Sequence, residues 1–234
     1  MLPDLTMKRS HSAAGAAMHE AGHAWLTMVF GGEVKMMRID PPAPGRAFTG
    51  VTDAKLGRVK RDPQRFAIVL QGGLAAEIPL LHKLGYTEKS HPELLKRVRE
   101  QGGAHDLQRI AKLVRKYPGM VDADRAAEDA ARILEHPRMH EGKRQLAEEL
   151  IRNGRLNSAQ VARIAEPFQP QEFLQETGLE LWKPSPVEIA RARADRLPDL
   201  KQGLGRAVGR IRTGGSRAGR RTGVPKQPVP RRRR

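Results

Sequence analysis

Cysteine is absent from the 234 residues, so neither a disulfide framework nor a thiolate metal site is available, and any metal has to be held by His, Asp or Glu. Long apolar runs are absent too. The most apolar stretch, Ala24 to Gly32, is far short of the roughly 20 residues that span a bilayer. The N-terminal residues show no apolar segment followed by a small-residue cleavage site, and the expectation is a soluble, cytoplasmic chain with no membrane span. No G-x-x-x-x-G-K-[ST] nucleotide loop occurs, which excludes a built-in phosphate-loop ATPase from these residues. Aromatic residues are scarce at 4%, and the 38% hydrophobic content is low for a chain that is globular throughout. Part of the chain is therefore expected to carry no core.

Charge locates that part. The net charge is +17, and twelve of the 43 Lys and Arg lie in residues 201–234, which hold neither an acid nor an aromatic. That composition predicts a disordered basic tail. Its arginines, Arg220, Arg221, Arg231, Arg232, Arg233 and Arg234, are candidates to contact phosphates or an acidic partner. With no aromatic to stack on bases, nucleic-acid contact would be sequence-indifferent, and a merely solvated tail is an equal alternative.

Residues 1–11 read as a polar lead-in. Ser12 is the expected N-cap of a first helix reaching about Phe30, stopped by Gly31 and Gly32. Val34 to Asp40 and Phe48 to Thr52 are short β-prone runs around a Pro- and Gly-rich turn, and predict a small antiparallel pair. From Pro63 the apolar spacing becomes helical up to Gly85. Further helices are expected over His91 to Glu100, Ala104 to Lys116, Val121 to His136, His140 to Asn153 and Ser158 to Glu166. The fold class is therefore mainly α with one small hairpin. The domain reading is a body over 12–166, a Pro-containing tethered extension over 167–200 with one helical segment at Val187 to Arg196, and the tail over 201–234.

Within the first expected helix stands His19, Glu20, Ala21, Gly22, His23. Two histidines four apart leave a helix on one face, so both imidazoles can reach one ion at roughly 2.0–2.1 Å. Glu20 is displaced by about 100° around the axis, which takes it off the metal and beside a water. That is the H-E-x-x-H arrangement, in which zinc lowers the pKa of water towards about 7 and the carboxylate takes the proton. A histidine pair on a basic helix can also be merely solvated, but this one sits among Ala, Met, Trp and Leu, where a polar triplet is costly to bury without a partner. A catalytic zinc needs a third protein ligand. Glu77, His82, His91, His105 and Asp106 are the candidates downstream.

Three blocks in order carry a family resemblance: Met18 to Ala24 (MHEAGHA), Leu70 to Glu77 (LQGGLAAE) and Gly103 to Ala111 (GAHDLQRIA). They resemble the HEAGHA, GGRAAEE and GASNDLQRA segments of the peptidase domain of FtsH-type zinc metalloproteases. The region Val34 to Thr52 is similar to that family's VTIIPRGRALG stretch, and Ala127 to Ile164 to its last helices, so the resemblance covers about residues 12–165. It implies a mostly helical peptidase fold, zinc held by His19, His23 and Asp106, and Glu20 as catalytic base. Glu77 is the rival ligand on chemical grounds, with a hydrogen bond to the back of a ligand histidine as its favoured role. Taken alone, Asp106 is equally an acid placed favourably near a helix N-terminus.

The chain departs from the family in lacking the ATPase module, in an inserted stretch over His82 to Gln101, and in Leu74 and His105, which stand where Arg and Asn are usual. These departures leave the ligand set intact. The expected activity is hydrolysis of a polypeptide substrate, ATP-independent as a single chain, with a homo-oligomer and a separate ATPase chain left open as partners. The alternative is a non-catalytic adaptor of the same fold acting through its basic tail.

Overall fold

A computed structural model of the chain describes residues 13–41 and 48–194. The expected N-cap Ser12, the lead-in 1–11, most of the Pro- and Gly-rich turn and the tail 201–234 lie outside them. The architecture is mainly helical, with helices packed around one central helix and a small antiparallel sheet on one side. No helix among the described residues is long and apolar enough to cross a membrane.

The central element is α1, Ala13–Val29, in which 14 of 17 residues are buried. A helix surrounded on all sides needs small residues where neighbours come closest, and the sequence supplies them. Gly15, Ala16, Ala17, Ala21 and Gly22 line its first half, whereas Trp25 and Leu26 fill the second. At Gly22 a Cβ would collide with the backbone carbonyl of Gly72 on α2, Pro63–Lys83, and a Cβ on Gly72 would lie 2.8 Å from the carbonyl oxygen of Gly22. Two glycines thus let α1 and α2 touch backbone to backbone.

Local sequence sets the ends of these helices. Gly31, at φ +76°, follows α1. Asp62 caps α2 by accepting from the backbone N–H groups of Gln64 and Arg65 at 3.1 and 3.0 Å, with Pro63 in the first turn. Beyond α2 come α3, Pro92–Arg97, a π-helical turn Val98–Gly102, then α4, Ala104–Lys116, and α5, Ala123–Glu135. The remaining helices are α6, Pro137–Asn153, α7, Ser158–Ala165, α8, Phe173–Thr177, and α9, Pro186–Ala194.

The expected hairpin is present as β1, Glu33–Asp40, against β2, Thr49–Lys55, and a third strand, β3, Arg155–Asn157, pairs with the other edge of β1. The sheet therefore has three strands where two were expected. Three residues are too few to show alternation, and β3 follows the left-handed Gly154 that ends α6. Strand order β2-β1-β3 leaves β2 as an edge, and that edge borders the site described below.

The expected boundary after Glu166 is not a break in packing. Phe173 is fully buried against the core, its ring 4.9 Å from that of His136 and beneath the Arg138 guanidinium. The N–H of Trp182 donates to Asp129 Oδ2 at 3.0 Å. Phe168, Leu174, Leu179 and Leu181 pack against the core beside Phe173, and the irregular spacing of these apolar residues leaves no periodic signal. Phe173→Ala is expected to cost about 3–5 kcal/mol in denaturant unfolding, the usual loss for a fully buried aromatic. A value near zero would mean that this segment is a tether after all.

Candidate metal centre

His19 and His23 leave α1 one turn apart, and Asp106 leaves the first turn of α4 towards both. Asp106 Oδ2 lies 3.1 Å from His23 Nε2 and 3.7 Å from His19 Nε2. The three ligand atoms all fall within 4.8 Å of one another, the one such group of three among the described residues. Ligands at roughly 2.0–2.1 Å from a tetrahedral zinc stand about 3.3 Å apart. The spacing fits one ion of that size.

Each imidazole is held from the side opposite Asp106. His23 Nδ1 donates to the backbone carbonyl of Val69 at 2.8 Å, and His19 Nδ1 is 3.1 Å from Glu77 Oε2, on a carboxylate that is 1% exposed. Both acceptors hold a proton on Nδ1, so that with a metal bound each Nε2 would present its lone pair to the common centre. Glu77 therefore stands behind His19, on the nitrogen away from Asp106, the position favoured from chemistry over that of a rival ligand. Its replacement by Gln keeps the shape and weakens the acceptor, and is expected to reduce zinc affinity by roughly 10- to 100-fold. Competition with a chromophoric chelator measures that change. An unaltered affinity would show that the contact leaves the metal indifferent.

The electrostatics also favour a positive charge at this place. Glu20, Glu77 and Asp106 bring three carboxylates into a largely buried region, and burying such charge is costly unless it is paired. Burial alone would lower the pKa of His19, but the neighbouring carboxylates of Asp106 and Glu77 outweigh it and hold the imidazole raised to about 10. Burial pushes Asp106 the other way, and its contacts with His19 and His23 overcome that and leave its carboxyl well below the ordinary range. A proton on His19 supplies one positive charge; a divalent ion between the same atoms supplies two.

Glu20 is directed at β2. Thr52 Oγ1 donates to Glu20 Oε2 at 2.7 Å, and the Glu20 backbone carbonyl is 3.1 Å from the same hydroxyl, whose single hydrogen serves the shorter contact. On the same strand, a Cβ at Gly50 would collide with Glu20 Cγ, and one at Gly73 of α2 would collide with His19 Nε2. Three residues beyond those expected from the sequence thus shape the site: Thr52 orients the carboxylate, Gly50 makes room for it, and Gly73 makes room for the imidazole. Gly73 stands within the LQGGLAAE block, and Gly50 and Thr52 within the β-prone run, so each had a signal of position but none of role. Nothing in side-chain chemistry could have indicated the Val69 carbonyl.

These groups lie in a cleft of about 700 Å³. Thr49 to Ala54 of β2 form one wall; Phe66 and Val69 of α2, with His105, Asp106 and Arg109 of α4, form another. Of the other third-ligand candidates, His105 lines the cleft without joining the group. His82 pairs with Glu88 at 3.1 Å near the end of α2, and the ring of His91 packs edge-on against Tyr86. The tail arginines Arg220, Arg221 and Arg231 to Arg234 lie outside the described residues. No protein-family model matches the chain, and no curated protein matches it either.

Proposed function

We propose that this chain is a zinc-dependent endopeptidase related to the FtsH-type peptidase domain, acting without ATP as a single chain. The observation that carries the reading is the convergence of His19 Nε2, His23 Nε2 and Asp106 Oδ2 beside a carboxylate, Glu20, held on the wall of an open cleft. A structural zinc site is closed by four protein ligands; this group has three, the number used where chemistry is done. Zinc held there would act as a Lewis acid on water and on the substrate carbonyl.

The other tasks fall to the chain itself. Glu20 takes a proton from the attacking water and returns it to the leaving amine. Thr52 fixes one carboxylate oxygen, Oε2, so that the other, Oε1, is free for that proton. The outer edge of β2 is unpaired within the sheet, and an extended peptide can add to it as a further strand. Strand addition would hold the substrate backbone along the same wall that carries Gly50 and Thr52, beside Glu20.

Incubation of the zinc-loaded chain with a denatured protein, with and without chelator, tests the reading. Cleavage that chelator stops and zinc restores is the expected result; a loaded chain inert towards a broad set of unfolded proteins would overturn it.

The composition of residues 201–234 supports a second, compatible reading, in which the basic tail contacts nucleic acid or an acidic partner. Removing those residues is then expected to abolish a gel shift with mixed-sequence nucleic acid at low salt, and to leave peptide hydrolysis unchanged. An undiminished shift would locate the contact elsewhere. An adaptor with no hydrolytic activity has less support, since a scaffold has no use for a carboxylate held at Glu20.

A further inference from the structure

The cleft is lined by charges of both signs, and these bear on which polypeptides it accepts. On the strand wall the exposed charge is acidic, Asp53 of β2. Arg109 of α4 and Lys60, from the 3₁₀ turn Gly57–Arg61 that follows β2, line the same cleft, as does Phe66. The Arg109 guanidinium carbon lies 5.2 Å from the centre of the Phe66 ring. Stacking of that kind restrains a long side chain before any ligand arrives and leaves its N–H fork available.

Arg109 has little else to do. Its nearest carboxylate atom is Asp106 Oδ1, at 3.7 Å from Nη1, too far for a hydrogen bond, and among the described residues it donates none. Lys60 has no ion-pair partner among the described residues. Asp106, moreover, is the carboxylate assigned to the metal, so its charge is shared with the ion. Two cations therefore border the cleft, and Arg109 stands one helical turn from the metal-ligand candidate Asp106.

We propose that Arg109, with Lys60, forms a subsite for a substrate carboxylate, so that the preferred substrates are polypeptides carrying an acidic side chain or a free C-terminal carboxylate close to the scissile bond. This rests on the endopeptidase reading for its cleavage step and on the cleft geometry alone for its binding step. Arg109 is a specificity residue here: its planar fork matches a carboxylate in two parallel hydrogen bonds, and Lys60 adds charge without direction.

Binding separates the two claims. Fluorescent peptides are titrated by anisotropy into the zinc-loaded Glu20→Gln chain, which leaves them intact. One set has blocked ends and an internal Glu or Gln at successive positions; a second has Gln throughout and either a free or an amidated C-terminus. The expected result is roughly tenfold tighter binding of a carboxylate-bearing peptide than of its uncharged twin, the size of one well-placed partly exposed charge pair. That preference falls in high salt, disappears in Arg109→Gln, and is partly kept in Arg109→Lys. Whichever set carries the preference identifies side chain or terminus as the source. Lys60→Gln, at a residue that is neither a ligand nor in contact with Asp106, provides a second variant that reduces the preference should Arg109→Gln disturb Asp106. Equal binding of charged and uncharged peptides in both sets, or a preference that survives both substitutions, overturns the subsite. A charge preference in binding together with a wild-type chain that cleaves nothing would instead overturn the endopeptidase reading and leave the subsite standing.

Discussion

Glu20→Gln is expected to retain bound zinc and to lose about 10²- to 10⁴-fold in the rate of peptide hydrolysis, the range that a positioned general base contributes. The substitution preserves volume and an oxygen that can accept from Thr52 Oγ1, so the packing against Gly50 and the fold should be unaffected. What disappears is the ability to take up a proton. Because Glu20 is turned towards β2 and is not one of the three grouped ligand residues, zinc content is expected to be close to that of the wild type. Loss of zinc together with activity would mean that Glu20 holds the ion, and an unchanged rate would remove it from the chemistry. Thr52→Val, which deletes the hydroxyl at constant shape, should act in the same direction and less strongly.

The second large effect is expected at Asp106. Its carboxylate is the single non-histidine ligand atom in the group, and it comes from α4, far along the chain from α1. Asp106→Ala leaves two imidazoles on one helix, a bidentate site too weak to keep zinc through purification, so metal and activity should be lost together. The substitution also removes the carboxylate that faces His19 Nε2 and leaves Glu77, hydrogen-bonded at Nδ1, as the remaining partner of the imidazole. Asp106→Asn is the sharper variant, since it keeps the volume and removes only the charge. Full zinc occupancy in Asp106→Ala, measured by elemental analysis after dialysis, would disprove the assigned ligand set.

How much of this was legible from the sequence depends on the range over which each feature acts. The spacing of His19 and His23 is local and reads directly as one helical face, and the capping chemistry at Asp62 and Pro63 marks the start of α2 equally well. The mainly helical class followed from such signals. Asp106 was found only through the resemblance of its block, because no periodicity connects it to α1. The role of Glu77 was left between two alternatives, and it took three-dimensional placement to show it facing Nδ1 of His19. Contacts made by backbone or by missing side chains had no signal of their own: the Val69 carbonyl beneath His23, the space at Gly73, and the backbone meeting of Gly22 with Gly72. The three residues of β3 and the buried anchor Phe173 escaped for a related reason, since each acts through what it packs against and not through its neighbours in sequence.

The same limits explain why charge was read as a property of the tail and not of the cleft. Twelve cations gathered in 34 residues dominate any composition window. Lys60 and Arg109 are single residues from distant segments, and only the fold brings them to one cleft.

X-ray absorption at the zinc edge, recorded on the full chain loaded with zinc and compared with Asp106→Ala, tests the central claim most directly. The account predicts about one zinc per chain, with two imidazole rings and light oxygen or nitrogen neighbours at roughly 2.0–2.1 Å, and loss of that signal in the variant. A chain that binds no zinc at micromolar concentrations, or a spectrum without imidazole scattering, would contradict it.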